Sequence, residues 1–193
     1  MRHLAVAGLC LVVSALAAPA CLGADGRASG APSAQVFVQK FYDWYLQRSK
    51  REGTVDPLEA ALKEKPELFD ASLTKALKED LAASAKSPDE IVGLDFDPIL
   101  DAQDTCGPYT TGKVSRDGDS YRVEVFGHGC SDEKPGQPDV IAVIKRKQGA
   151  WMFVNFVYPP MDSDLLTTLE ALKKEREHPA NRPKLPSRPA WHT

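Results

Sequence analysis

Between Tyr109 and Tyr158 apolar residues recur in period two over four stretches, and this alternation limits the fold more than any other feature of the chain. YTTGKVS and SYRVEVFG are separated by Arg116-Asp117-Gly118-Asp119, and DVIAVIKRK and AWMFVNFVY by Gln148-Gly149, so each pair reads as an antiparallel hairpin. With Asp117-Gly118 as the first loop, Arg116 faces Asp119, Val114 faces Tyr121, Gly112 faces Val123 and Thr110 faces Val125. The second hairpin sets Ile144 against Phe153, Val143 against Val154 and Ala142 against Asn155. That register puts Ile141, Val143, Val154 and Phe156 on one face and Val140, Ile144, Phe153 and Val157 on the other. A sheet with one wet side alternates cleanly, so two apolar faces predict cover on both, by helices on one side and a partner subunit on the other.

The segment before these strands has a helical period. Phe37, Phe41, Trp44 and Tyr45 recur at three- and four-residue intervals behind Ser33, which can cap the helix. Asp56, Pro57 and Glu59 supply a cap, a first-turn proline and a capping-box partner for the short helix LEAALKEK, which Pro66 stops. A third helix starts near Asp70 or Ser72 and runs to about Ala85, with Leu73, Leu77 and Leu81 on one stripe, and Pro88 closes it. After the strands, Asp162 or Ser163 can cap an amphipathic helix carrying Leu165, Leu166, Leu169 and Leu172. The fold class expected is therefore α+β, with N-terminal helices packed on an antiparallel sheet and a C-terminal helix.

The two ends read differently. Arg2 precedes an apolar run from Leu4 to Ala17 and the small residues Ala18-Pro19-Ala20, the pattern of a secretory signal over 1–20. The apolar run is shorter than the roughly 20 residues a spanning helix needs. Residues 21–32 are small and polar, a tether; 33–177 form one α+β domain; and the proline-rich stretch from His178 to Thr193 is expected to be a disordered tail. Cys21, directly after the cleavage-compatible run, is a candidate for lipid acylation, the alternative being ordinary cleavage nearby. Cys10 leaves with the signal, so Cys106 and Cys130 remain as a pair that an oxidising compartment would join. Lys and Arg number 24 against 27 Asp and Glu, a net charge of -3 with no long block of either sign, which argues against a nucleic-acid partner.

FVQKFYDWY, EIVGLDFDPILDAQD, GKVSRDGDSYRVEV and WMFVNFVYP together resemble bacterial envelope proteins catalogued as domain of unknown function 3828, over roughly Gln35 to Leu172. That family is similar in expected fold to the curved-sheet cone of the nuclear transport factor and ketosteroid isomerase superfamily. The resemblance implies a cone-like fold in the periplasm or on an envelope membrane, and it transfers no catalytic residue. It also implies that the sheet face can build a homodimer, since many members of the superfamily pair through it.

Chemistry is sparse. Asp95, Asp97, Asp101 and Asp104 suggest calcium, but an EF-hand loop would need an oxygen ligand where Ile99 stands and a glycine where Leu100 stands, so no metal and no cofactor are expected. These acids read instead as turn and helix caps. His3, His128, His178 and His192 form no recognisable set, and no GxSxG motif is present, so no catalytic residue is assigned. If the cone has an open mouth, Asp43 and Asn155 are the polar residues expected to point into it. The function expected is a non-enzymatic module that binds a small ligand or an envelope protein, touching a membrane only through a lipid anchor. The alternatives are a small isomerase-type enzyme with Asp43 as base, and an inhibitor or immunity-type partner of a secreted enzyme.

Overall fold

The aromatic period of the first helix decides what it buries. In the computed structural model, which describes residues 30–50, 55–87, 92–105, 107–129 and 136–178, helix α1 (Gly30–Ser49) turns Ala34, Val38, Phe41, Tyr42, Tyr45 and Leu46 inward. Helix α2 (Pro57–Glu64) is capped by Asp56, whose Oδ1 accepts from the amides of Leu58 and Glu59. A single 3-10 turn at Pro66–Leu68 leads into α3 (Ala71–Ser84), capped by Asp70. Local signals sufficed for both caps, because a carboxylate two or three residues ahead of a free amide needs nothing distant.

Among the described residues five strands follow: β1 (Tyr109–Asp117), β2 (Ser120–Gly127), β3 (Val140–Lys147), β4 (Ala150–Tyr158) and the two-residue β5 (Ser163–Asp164). They form one antiparallel sheet in the order β1-β2-β3-β4-β5, and α4 (Leu165–Glu177) closes the described chain. The α+β class, with helices on a sheet and a C-terminal helix, is as expected. No described helix is long and apolar enough to cross a membrane.

Both edges of this sheet are occupied. On β1, Gln39 of α1 accepts from the Thr111 amide at 2.8 Å and donates to the Tyr109 carbonyl at 3.0 Å. Gln35, one turn earlier, donates to the Gly112 carbonyl at 3.1 Å. Two glutamines thus stand in for part of a missing strand, which blunts an edge that would otherwise offer its ladder to another chain. On β4, the Asp70 amide donates to the Phe153 carbonyl at 2.8 Å, and Phe69 bridges Phe153 in parallel.

Several boundaries and registers differ from expectation. Helix α1 begins at Gly30, so the last three residues of the expected tether are helical and Ser33 is inside the helix, its hydroxyl donating to the Gly30 carbonyl. The cap of α4 is Asp164 rather than Asp162 or Ser163: Asp162 sits in the left-handed region at φ 49°, and Ser163 is spent in β5. The first hairpin turns at Gly118-Asp119, which pairs Asp117 with Ser120, Arg116 with Tyr121 and Val114 with Val123, two residues from the expected partners, until an irregularity between Thr111 and Val114 reduces the offset to one at Thr110, which faces Phe126. Gly118, at φ 61°, takes the left-handed turn position at no steric cost. In the second hairpin Ile144 does face Phe153, but a bulge at Val154 then sets Val143 opposite Asn155 and Ala142 opposite Phe156. Phe156 therefore joins Phe153 on the helix-covered face, and Val157 moves to the opposite face beside Ile141. Cys10, Cys21, Cys106 and Cys130, the signal, Pro88 and the tail after His178 lie outside the described residues.

Candidate functional site

Asp97-Pro98-Ile99-Leu100, four consecutive residues of the stretch between α3 and β1, is held by one tyrosine hydroxyl at each position. Tyr45 donates its hydroxyl to Asp97 Oδ2 at 2.9 Å, and Tyr158 donates to the Pro98 carbonyl at 2.8 Å. Tyr42 donates to the Ile99 carbonyl at 2.7 Å, and Tyr109 to the Leu100 carbonyl at 3.3 Å. The four tyrosines come from α1, β1 and β4, so helix and sheet grip the same turn. The turn also holds itself: Asp97 Oδ1 accepts from the amides of Ile99 and Leu100, the Asp97 amide donates to the Ala102 carbonyl, and Asp101 takes a left-handed φ of 53° to let the chain double back.

Each tyrosine inserts an apolar ring into the core and spends its hydroxyl on a carbonyl or carboxylate that would otherwise be buried unmet. Ile99 and Leu100 are 0% and 1% exposed and fill the interior beside Tyr42, Tyr45, Phe153 and Phe156. The space between α1 and the sheet is therefore packed with side chains. Burial pushes the hydroxyls of Tyr42 and Tyr45 well above the ordinary tyrosine range, and the nearby Asp97 carboxylate adds to it. Tyr109 and Tyr158 are raised by burial too, assisted by Asp139 and Asp101 respectively. Burial lifts the Asp97 carboxyl to about 6, although the Ile99 and Leu100 amides and the Tyr45 hydroxyl pull the other way. Asp101 is lifted to about 6 by burial, with the charge of Asp139 adding to it. In an enzyme a raised carboxyl marks an acid or base; here Asp97 faces a tyrosine and two amides, an arrangement that holds a turn.

Asp43 is not in this interior. It is exposed on the outward side of α1, where Oδ1 accepts from Gln39 Nε2 at 2.9 Å. That position is at the exposed surface, not in the interior pocket expected of it. Asn155 sits at the β4 bulge: its Oδ1 accepts from the amides of Phe156 and Leu166 at 2.9 and 3.1 Å, and its Nδ2 donates to Asp164 Oδ1 at 2.7 Å. It ties the bulge to the first turn of α4 and caps orphan amides there. Asn155→Ala should destabilise the domain by about 1–2 kcal/mol, because two amides lose their acceptor; urea denaturation measures this, and a loss under about 0.5 kcal/mol would refute the role.

Asp95, Asp97 and Asp104 border a cleft of about 650 Å³ together with Asp56 and Asp80. Asp56 caps α2, and Asp80, 3% exposed, accepts from the Leu94 amide at 2.9 Å and from Arg176 at 2.6 Å. Among the described residues no group of three or more His, Cys, Asp or Glu is arranged to hold a metal ion. His128 is exposed, its Nε2 within 2.7 Å of the Thr110 hydroxyl.

The face of the sheet away from α1 is the open one. Ile141, Val143 and Val157 are half-buried there and floor a groove of about 590 Å³. Arg122 of β2 stands on one bank, and Asn155, Asp162 and Asp164 on the other. Sequence reasoning anticipated an apolar second face but missed the tyrosine anchors, whose only local trace is that four of the chain's five tyrosines fall inside apolar periods.

No family model, curated protein or solved structure matches this chain.

Proposed function

We propose that this chain is a non-enzymatic protein-binding module, exported to a bacterial envelope and membrane-anchored where Cys21 is acylated, and that the outer face of its sheet is the working surface. The observation that carries this reading is the contrast between the two faces. One is packed and fastened by four tyrosines, and the other leaves Ile141, Val143 and Val157 half-exposed beside unlike charges. Apolar surface rimmed by polar groups is the ordinary signature of a macromolecular contact.

The partner that fits best is a second copy of the chain. A two-fold axis parallel to the strands, running over the β3–β4 strip, would lay each apolar floor on the other. It would also bring Arg122 of each copy toward the Asp162 and Asp164 bank of its mate, the self-complementary pattern of an isologous dimer. Sedimentation velocity of the intact chain should show a concentration-dependent dimer at micromolar levels that Val143→Arg abolishes and Arg122→Asp weakens at least ten-fold. A monomer throughout overturns the self-pairing. In that event a photo-crosslinker at Val143 in the producing cell should trap an envelope protein, and its failure to trap one would overturn the protein-binding reading as well.

A further inference from the structure

A cavity larger than the two already described lies elsewhere, in a trough between the outward side of α3 and the turn-proximal end of β4, with a volume of about 920 Å³. Its floor and walls are mainly apolar, from Pro66, Phe69, Ala71, Ala82, Ala150 and Met152. This size falls within the ~300–1,000 Å³ typical of small-molecule sites, which pair an apolar lining with a few placed polar groups.

Three of its five charged groups are cationic. Lys75 and Lys78 project from the α3 wall and Lys147 from the β3–β4 turn opposite, against the carboxylates Glu67 and Glu79. Glu79 is already neutralised: Lys173 lies 3.0 Å from it and Lys75 3.8 Å. Lys78 and Lys147 make no ion pair among the described residues. Two ammonium groups on opposite banks of an apolar trough, free to move on four-carbon stems, suit a ligand with one anionic head and a long hydrocarbon body.

We propose that this trough binds a long-chain fatty carboxylate, its chain along Phe69, Ala150 and Met152 and its head between Lys78 and Lys147. The site is separate from the outer-face groove and does not depend on the dimer.

Calorimetric titration of the intact chain with dodecanoate, below its micelle concentration, tests this. One saturable site per chain is expected, with acetate giving no binding and dodecyltrimethylammonium at least ten-fold weaker binding than dodecanoate. Lys78→Gln with Lys147→Gln should weaken dodecanoate at least ten-fold while leaving the circular dichroism melt in place. Met152→Trp, which fills the trough from a strand position that already faces outward, should abolish binding. Equal affinity for the cationic amphiphile, or full affinity in the double lysine variant, would show unspecific hydrophobic uptake and overturn the proposal, as would absence of any saturable binding.

Discussion

Phe153→Ala should lose about 3–5 kcal/mol of unfolding free energy, the upper end of what a single truncation in a packed core costs. Phe153 is fully buried, and its ring meets those of Phe37, Phe41, Phe69 and Phe156 at centroid distances of 5.0, 4.6, 5.7 and 5.2 Å. These neighbours belong to α1, the turn before α3, and β4 itself, so the void would open where three elements meet. Collapse around it is limited, because the Phe153 carbonyl still binds the Asp70 amide and the strand cannot shift without breaking that edge. A urea midpoint series with unchanged slope measures the loss. Val36→Ala, half-exposed on the other side of α1, should stay within about 0.5 kcal/mol of the parent. A Phe153→Ala loss below about 1.5 kcal/mol would mean that this ring is not the keystone described.

Phe153 also illustrates what the sequence makes legible. Its membership of a strand follows from period two, and its pairing with Ile144 follows from the Gln148-Gly149 turn, since both are local. The position of Phe156 does not follow, because nothing in VNF distinguishes a bulge from simple alternation. The bulge is favoured by its consequences at a distance: it places both phenylalanines on the helix side and turns Asn155 toward Asp164 and the start of α4. The first hairpin slipped for a related reason, since Asp117-Gly118 and Gly118-Asp119 are both acceptable turn pairs and only the packing of β1 against α1 chooses between them. Asp43 was within reach of the sequence. The phase set by Phe41 and Tyr45 puts residue 43 about 200° from Phe41 at roughly 100° per residue, on the outward side. The tyrosine anchors were out of reach, because three of their four bonds join residues 52 to 60 positions apart, and a carbonyl acceptor carries no residue identity.

Lowering the pH from 7 to about 5 should stabilise this protein. Asp97 is ionised in the unfolded chain above its ordinary value near 4, but in the fold burial holds its carboxyl protonated up to about 6. The folded chain therefore binds more protons between those limits, and the burial penalty is absent below about 4, grows through the window and is complete above about 6. A displacement of this size corresponds to about 2–3 kcal/mol. Asp101 acts in the same direction, more weakly because it is only half-buried. Opposing them, Asp70 is held below the ordinary range by the Ser72 hydroxyl and amide; at Asp164 burial acts upward but is outweighed by bonds from Asn155 and Thr167. Stability from those two is present above the ordinary carboxylate value and lost as the pH falls through their depressed values, so the maximum should lie near pH 4–5. Asp97→Asn isolates the first effect. The amide keeps an oxygen for the Ile99 and Leu100 amides and a polar edge for the Tyr45 hydroxyl, yet carries no charge to bury. At pH 7 the variant should equal or exceed the parent by up to about 2–3 kcal/mol, and its gain between pH 7 and 5 should shrink to the small part left by Asp101. Chemical denaturation at pH 7, 6 and 5 distinguishes the outcomes. A parent whose stability is flat over that interval, or a variant weaker than it by more than about 1.5 kcal/mol at pH 7, would mean that Asp97 holds the turn as a carboxylate that the fold prefers charged.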